Sequence, residues 1–333
     1  MHAEREALVS VVVPVHARAN ELDRLLLSLC HQDFDMDGLE VVVVENKEQL
    51  NRIWLARRTW PFRLRCAFVP YGNQAACRNV GAWSSSGRWL VFLDSDVLLA
   101  IDTLRRLLTA AESIERAIGL ADVVHPPCSD LTLATQLYDV PSYFREYRRY
   151  IAAEPLTFKQ FVSCAFVMGR ADFEAVGGFD GSFSHYGYED VEFALRAERA
   201  GLHFHLVSKA TAFHHKRLTP TTVLSRSIEL GHSAVHFVWL HSDIEDVMPL
   251  GVRDTQAGVL SYRDDFDPAQ LLRRAEEIEM ALSSLRSEKL AAPLGREGTR
   301  LYNEISLYGR YTGIQDELAR SLPLRSRTSQ DSL

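Results

Sequence analysis

The sequence predicts an α/β fold: a mixed, mainly parallel sheet with helices on both faces, followed by a helical C-terminal extension. Three observations carry this expectation. Short, mostly apolar runs, β-branched in the first, recur at Leu8–Val13, Leu39–Val44, Leu64–Val69 and Trp89–Leu93, the length of strands rather than helices. They are apolar without alternation, as in strands covered on both faces. Segments with helical spacing stand between them, and strands alternating with helices imply crossovers and parallel pairing.

Taken in order, the first run closes at Pro14, which marks a strand end. Asn20 then stands as an N-cap before Leu22, Leu25, Leu26 and Leu29, which share one helical face. The second strand ends at Glu45-Asn46 and the third at Pro70. From Gln74 the pattern is helical, with Ala76, Val80 and Trp83 along one side and Arg78 near the start. After Trp89–Leu93 comes an amphipathic helix through Leu104, Leu107, Leu108, Ala111, Ile114 and Ile118, then a strand at Ala121–His125. Residues 128–159, rich in aromatic and basic side chains, read as a surface helix or a lid. A strand is expected at Phe161–Met168 and a turn at Gly177–Gly181. A helix then starts at Glu189-Asp190, buries Val191, Ala194 and Leu195, and stops at Gly201. Short strand pieces follow at Leu202–Val207 and Ala210–Phe213.

Beyond Pro220 the pattern is helical, with a start at Asp267-Pro268. Leu271, Ala275, Ile278, Leu282 and Leu285 repeat at steps of four and three. That stripe would pack onto the catalytic domain or form the seam of a homodimer. Residues 326–333 are polar and expected to be disordered. His232 and His236, at i and i+4, have a spacing that can hold zinc, but read first as packing residues.

The formal charge of −7 and the lack of a long basic block argue against nucleic acid as a partner. Five scattered cysteines (Cys30, Cys66, Cys77, Cys128, Cys164) without a Cys-x-x-Cys pair point to reduced, mostly buried thiols. The opening Met-His-Ala-Glu-Arg-Glu lacks the apolar core of a signal peptide. No apolar run approaches the ~20 residues of a spanning helix. The expectation is a soluble, cytoplasmic protein, with peripheral membrane association left open.

Chemistry concentrates at Arg88-Trp-Leu-Val-Phe-Leu-Asp-Ser-Asp96. A buried strand there ends in two carboxylates one residue apart, which in extended chain point the same way. Ligands of open α/β sheets sit outside the carboxyl ends of the strands. Hard carboxylate oxygens suit Mg²⁺ or Mn²⁺ shared with phosphates. Neither a Gly-x-Gly-x-x-Gly after the first strand nor a Gly-x-x-x-x-Gly-Lys is present, which disfavours dinucleotide and P-loop binding.

Val11-Val-Val-Pro14-Val, Val41-Val-Val-Val-Glu45-Asn and Ala76-Cys-Arg-Asn-Val-Gly81, followed by Gly87 through Asp96, resemble the family 2 glycosyltransferases of the GT-A fold. Val176-Gly-Gly-Phe-Asp180, Tyr186-Gly-Tyr-Glu-Asp190 and Ala212-Phe-His214 resemble the C-terminal acceptor segment of galactosyltransferase-type enzymes. The resemblance covers residues 8–217. It implies a GT-A (nucleotide-diphospho-sugar transferase) domain at 1–217, with a nucleotide-binding half at 8–125 and an acceptor half at 126–217. Residues 218–325 form the helical extension.

Carried across, the resemblance implies that Pro14, Val15, Glu45, Arg78, Asn79, Asp94 and Ser95 bind the nucleotide. It makes Asp96 and His214 the ligands of a divalent metal, Mn²⁺ or Mg²⁺, with His215 a neighbour. Asp190 becomes the general base, kept ionised by its helix N-terminus; Glu189, Tyr186 and Tyr188 bind the acceptor. The implied reaction is metal-dependent, inverting transfer of one sugar from a nucleotide sugar, with UDP-sugar as the expected donor. The acceptor hydroxyl or amine belongs to a glycan, a small metabolite or a carrier-bound intermediate. Processive relatives carry transmembrane helices and Gln-x-x-Arg-Trp, whereas Gln270-Leu-Leu-Arg-Arg274 lacks the Trp. Glu45 in place of Asp, His16 and Val97 depart from the family pattern and blur the donor. The rival readings are a sugar-nucleotide nucleotidyltransferase, a retaining relative and a non-catalytic sugar-binding module.

Overall fold

The structure, a computed structural model, describes residues 8–48, 51–127, 131–139, 155–244, 267–284 and 288–328 of the chain. The aromatic and basic stretch at 140–154, Cys128, Leu285 and the tail beyond Thr328 lie outside the described residues. The chain divides into two compact units. One is drawn from Met1–Ser129, Val140–Ser184 and Glu189–Lys216, the other from Asp130–Asp139, His185–Tyr188 and Arg217–Leu333.

The first unit is an eight-stranded sheet. Its strands are β1 (Val9–Val15), β2 (Leu39–Asn46), β3 (Arg63–Val69), β4 (Trp89–Leu93), β5 (Val97–Leu99), β6 (Ala117–Val124), β7 (Ala165–Gly169) and β8 (His203–His214). They lie in the order β3-β2-β1-β4-β7-β6-β8-β5. β3, β2, β1 and β4 run parallel, β7 runs antiparallel between β4 and β6, and β6 and β8 are again parallel. All seven residues of β1 and all eight of β2 are buried, the reason their sequences do not alternate.

Each strand divides its side chains between the two faces. Val91 and Leu93 of β4 join a core completed by Leu22, Leu25, Leu26 and Leu29 of helix α1 (Ala19–Cys30) and Leu104, Leu107, Leu108 and Ala111 of α4 (Thr103–Ser113). Phe92 points the other way and stacks on Phe166 of β7 at 4.7 Å. There it meets Phe173 of α6 (Arg170–Val176) and Phe179, while Phe179 stacks on Phe193 of α7 (Glu189–Arg199) at 4.3 Å. On this face α3 (Gln74–Trp83) lies so close to β1 that a Cβ at Gly81 would stand 2.4 Å from Val12 Cγ1; only glycine permits that approach. The short α2 (Arg52–Ala56) links β2 to β3.

Several local expectations are corrected. Asn20 is not the N-cap of α1: Arg18 occupies that position and no side chain caps it. The helix expected to reach Ile118 stops at Ser113. Arg116 takes a left-handed φ of 54°, and Ile118 is a buried residue of β6. On α3 the buried residues are Ala75, Cys77, Arg78, Asn79, Gly81 and Ala82, and Trp83 is exposed. The two strand pieces at 202–213 are one strand. Between the Ala121–Val207 and Asp122–Thr211 pairs β8 carries three extra residues, a bulge that interrupts its apolar pattern. Of the described cysteines, Cys77 and Cys164 are buried, Cys30 is half-buried and Cys66 is exposed.

One polar cluster in this core escaped sequence reading. Glu40, wholly buried on β2, accepts from Ser10 Oγ at 2.7 Å and from the Ser86 backbone N–H at 2.8 Å. Ser10 Oγ in turn accepts from Gly87 N–H at 2.8 Å. The turn between α3 and β4 is thereby fastened to the sheet.

The second unit is helical: α5 (Leu133–Tyr138), α8 (Pro220–Leu240), α9 (Pro268–Ser284) and α10 (Glu288–Thr328). Thr219 caps α8 and Asp267 caps α9, the latter through the N–H groups of Ala269 and Gln270. Helices α8 and α10 touch through small residues. A Cβ on Gly313 would stand 2.0 Å from Ile228 O, and Gly309 faces Ser227. Part of the stripe on α9 is buried within this unit. Leu271, Ala275 and their neighbours pack against Ala134, Leu218, Val223, Tyr302 and Ile305. Among the described residues no helix is long and apolar enough to cross a membrane.

Candidate functional site

The site is built at the end of β4. Asp94 follows the strand's last residue, and its N–H bonds to Cys164 O at 2.9 Å. A tight turn then closes with Val97 N–H on Asp94 O at 3.1 Å and sends the chain into β5. β5 pairs antiparallel with the end of β8, setting Val97 opposite His214. The turn therefore delivers Asp96, and the strand pairing delivers His214, 118 residues later along the chain. His214 Nε2 stands 3.3 Å from Asp96 Oδ1, while His215 gives only its backbone N–H to Asp96 O at 2.8 Å. Ser95 is buried in the turn.

Asp94, Asp96 and His214 each offer one ligand atom, and these atoms lie within 4.8 Å of one another. Two hard oxygens and an imidazole nitrogen form a donor set that Mn²⁺ accepts. The residues present fit a divalent ion.

Asp96 is 4% exposed, yet three groups of cationic character surround its carboxylate. Besides His214, Lys216 Nζ lies 3.5 Å from Oδ2 and the Arg18 guanidinium bonds the same oxygen. Burial opposes ionisation, but His214, Lys216 and Arg18 outweigh it and hold the carboxyl well below the usual range. Arg18 and Lys216 were not singled out from sequence. The available signal was position: each is a basic residue just past the end of a strand that carries a site residue.

Arg78 is 1% exposed and spans two carboxylates, bonding Asp94 Oδ1 at 3.0 Å and Glu189 Oε1 at 3.2 Å. Its guanidinium lies 5.3 Å from the Phe179 ring centre. It is thus a buried tie between the end of β4 and the start of α7. Asn79, next to Arg78 on α3, accepts from Phe179 N–H and donates to Phe179 O, each at 2.8 Å. Both halves of its amide fix the turn after α6.

At the start of α7, Glu189 Oε2 is buried without a hydrogen-bond partner among the described residues. Asp190 accepts the Val191 N–H at 2.9 Å. The helix N-terminus does not keep Asp190 strongly acidic, as the sequence had implied. Burial and the Glu189 charge push its carboxyl up to about 7, and Arg78 with the local N–H groups only partly offsets them.

Pro14 and Val15 end β1, with Val15 paired to Glu45 of β2. Glu45 is buried and accepts the Asn51 N–H at 2.7 Å, so one of its oxygens is spent on the chain itself. The neighbouring His16 Nδ1 lies 2.9 Å from Asn46 O.

Tyr186 and Tyr188 belong to the helical unit. Glu229 bonds His185 Nδ1 at 2.8 Å and Tyr186 N–H at 3.3 Å, Ser233 Oγ donates to Tyr186 O, and Arg226 lies over the Tyr186 ring at 5.0 Å. Tyr188, at φ 65°, packs on Phe237. Helix α8 thus fixes the backbone of residues 185–188. His232 lies with His185 and Glu317, not with His236. The two imidazoles stack at 4.3 Å and 15°, each on its own glutamate. Planes so nearly parallel do not converge on one ion.

Comparison with known proteins places this geometry in context. The family model described as glycosyl transferase family 2 matches residues 10–177, and that of the N-terminal domain of galactosyltransferase matches residues 150–218. A validoxylamine A glucosyltransferase of Streptomyces hygroscopicus subsp. jinggangensis is 28% identical over 223 residues, covering 59% of this chain and 52% of its own. An uncharacterized glycosyltransferase of Haemophilus influenzae is 30% identical over 122 residues, covering 36% of this chain and 38% of its own. The chain spans about half the length, or less, of the curated relatives it matches. Among solved structures, the mannosyltransferase PcManGT of Pyrobaculum calidifontis, in complex with GDP-Man and Mn²⁺, superposes with a TM-score of 0.55 at 17% identity. That match covers 95% of this chain and 86% of PcManGT. S. aureus TarS 1-349 in complex with UDP gives 0.50 at 16% identity, covering 95% and 91%. At these identities the likeness is one of fold.

Proposed function

The chain belongs to glycosyl transferase family 2, and on that premise we propose that it moves one sugar from a nucleotide sugar to an acceptor hydroxyl or amine by metal-dependent single displacement with inversion. The observation that carries this reading is a pair of carboxylates in opposed environments, Asp96 among cations and Asp190 beside another carboxylate. Opposed environments assign opposed roles.

Asp96 and His214, with Asp94 beside them, would hold the divalent ion, Mn²⁺ or Mg²⁺. When bound, the ion neutralises charge on the departing diphosphate. Pro14, Val15, Glu45 and Ser95 line the strand ends where the base and ribose bind. Asp190 takes the proton of the attacking group. With its carboxyl near 7, it is ionised often enough to accept that proton and basic enough to hold it. Glu189, fixed by Arg78, positions the acceptor together with Tyr186 and Tyr188. One base facing the anomeric carbon opposite the leaving group gives inversion.

We take the donor to be a UDP-sugar, in keeping with UDP in the TarS complex; the name of the Streptomyces relatives favours a hexosyl group. The catalytic domain is proposed as residues 1–217, with 218–325 as a helical extension that shapes acceptor choice. The test is a thermal-shift screen of nucleotide sugars with and without Mn²⁺, followed by calorimetry on Asp96→Asn. UDP-sugars should raise the melting temperature only with the metal, and Asp96→Asn should lose the effect. Unchanged Mn²⁺-dependent UDP affinity in that variant removes the metal assignment. A product with the donor's anomeric configuration, read by NMR, removes single displacement.

A further inference from the structure

Helix α8 turns one face to residues 185–188, and both belong to the helical unit. Arg226, Glu229, Leu230 and Ser233 recur at helical spacing along that face. Glu229 accepts the Tyr186 N–H, and Ser233 Oγ donates to Tyr186 O. Gly187 takes φ 87°, and a Cβ there would stand 2.4 Å from Leu230 Cδ2. The segment thus lies directly on α8, yet Tyr186 stays 41% exposed. It is an aromatic side chain held by its backbone and open to solvent.

Arg226 is the member of this face with no polar partner. Its guanidinium lies 5.0 Å from the Tyr186 ring centre, half-buried, and among the described residues makes no hydrogen bond or ion pair. Glu229, one turn on, spends its carboxylate on His185 Nδ1 and the Tyr186 N–H. No carboxylate stands between Arg217 and Ile228 to answer it from the first turns of α8. Other half-buried arginines behave differently. Arg170 donates to Gly87 O, Ala82 O and Ser85, and Arg196 to Glu192, Val176 O and Gly178 O. A ring attracts a guanidinium but leaves its in-plane N–H donors without an oxygen. Arginine is seldom withdrawn from water without an anion, and its planar fork matches a carboxylate or a phosphate.

We propose that Arg226 binds an oxyanion carried by the acceptor, which makes the acceptor a saccharide bearing phosphate or carboxylate beside the part that packs on Tyr186. Tyr186 supplies the apolar face, Arg226 the charge, and α8 holds both in register. This rests on the acceptor role given to Tyr186 above and narrows the acceptor to one charge class.

The test uses the full chain and Arg226→Gln, with circular dichroism melting to confirm that the variant folds. Saturating Mn²⁺ and UDP fill the donor side, so that a phosphate probe does not bind there. Glucose 6-phosphate, glucuronate and glucose are then titrated by calorimetry. At least one anionic probe should bind wild type about tenfold or more tightly than glucose, the scale of a charged hydrogen bond. Which of the two does so tells phosphate from carboxylate. Arg226→Gln should lose that preference and keep wild-type UDP affinity. Wild type that binds glucose as tightly as both anionic probes, or binds none of the three, overturns the proposal. So does a preference that survives in Arg226→Gln. Failure of the nucleotide-sugar reading is a separate result, seen as wild type that does not bind UDP with Mn²⁺. The three probes then still decide the proposal, titrated without nucleotide or metal.

Discussion

Two places in the sheet unit treat an aspartate in opposite ways, one buried and one half-buried. At the end of β4, Asp96 meets Arg18, Lys216 and His214, and its carboxyl is held far below the usual range. At the start of α7, Asp190 has Glu189 as its neighbour in the chain, and its carboxyl is pushed up to about 7. Both lose water, so burial alone raises both. The sign is decided by neighbours: cations from two strand ends in one case, a second carboxylate in the other. A carboxylate that must stay charged to hold a cation and one that must exchange a proton call for such opposite surroundings. Arg78 touches both regions, through Asp94 and through Glu189.

The comparison breaks most severely at Asp190. Asp190→Asn should keep Mn²⁺-dependent donor binding and lose turnover by about 10²–10⁴-fold, the share of a positioned base. Steady-state kinetics beside calorimetry measures both, and near wild-type turnover would move the base elsewhere. In wild type, kcat/KM should rise with pH through about 7 as Asp190 ionises. Stability moves the other way. Between the ordinary carboxylate range and about 7 the folded chain keeps a proton that the unfolded chain has released, so stability falls as pH rises through that window. Asp190→Asn should therefore melt above wild type at pH 8 and near it at pH 4.

Arg78 is the next place to break it. A fully buried guanidinium between two carboxylates leaves both unpaired when removed, so Arg78→Met should cost about 3–5 kcal/mol in chemical denaturation. Arg78 also draws the Asp190 carboxyl down. In the surviving folded fraction the pH limb of kcat/KM should move to higher pH. Denaturation unchanged from wild type would mean that the tie is not formed in solution.

How much of this was legible depended on distance along the chain. Asp94 and Asp96 are read directly, since a strand end and an i, i+2 spacing are local facts. His214 is not: pairing of β5 with β8 brings it to Asp96, and only the family resemblance named it. Arg18 lies 78 residues from Asp96, and its place just past β1 does not say which carboxylate it meets. The partner of Asn79, the Phe179 backbone 100 residues on, is beyond local reading for the same reason. The overrun of α4 toward Ile118 had another cause: the helix ends at Ser113, where Ile114 turns extended, and the chain turns at Arg116 with a left-handed φ, without glycine or proline to announce either. In the helical unit the stripe on α9 was legible as a buried face. Its partners, including Ala134 from α5, were not.

The mildest and sharpest probe is Glu189→Gln. It keeps the shape, and its amide oxygen can still accept from Arg78, but it removes the charge that helps to raise Asp190. Burial is the larger cause and persists. The pH limb should therefore fall below about 7 without reaching the ordinary carboxylate range, while Asp96 and Mn²⁺ affinity stay as they were. A limb that does not move would assign it to another group. A limb that moves together with Mn²⁺ affinity would show the two carboxylate regions to be electrostatically joined through Arg78 rather than independently tuned.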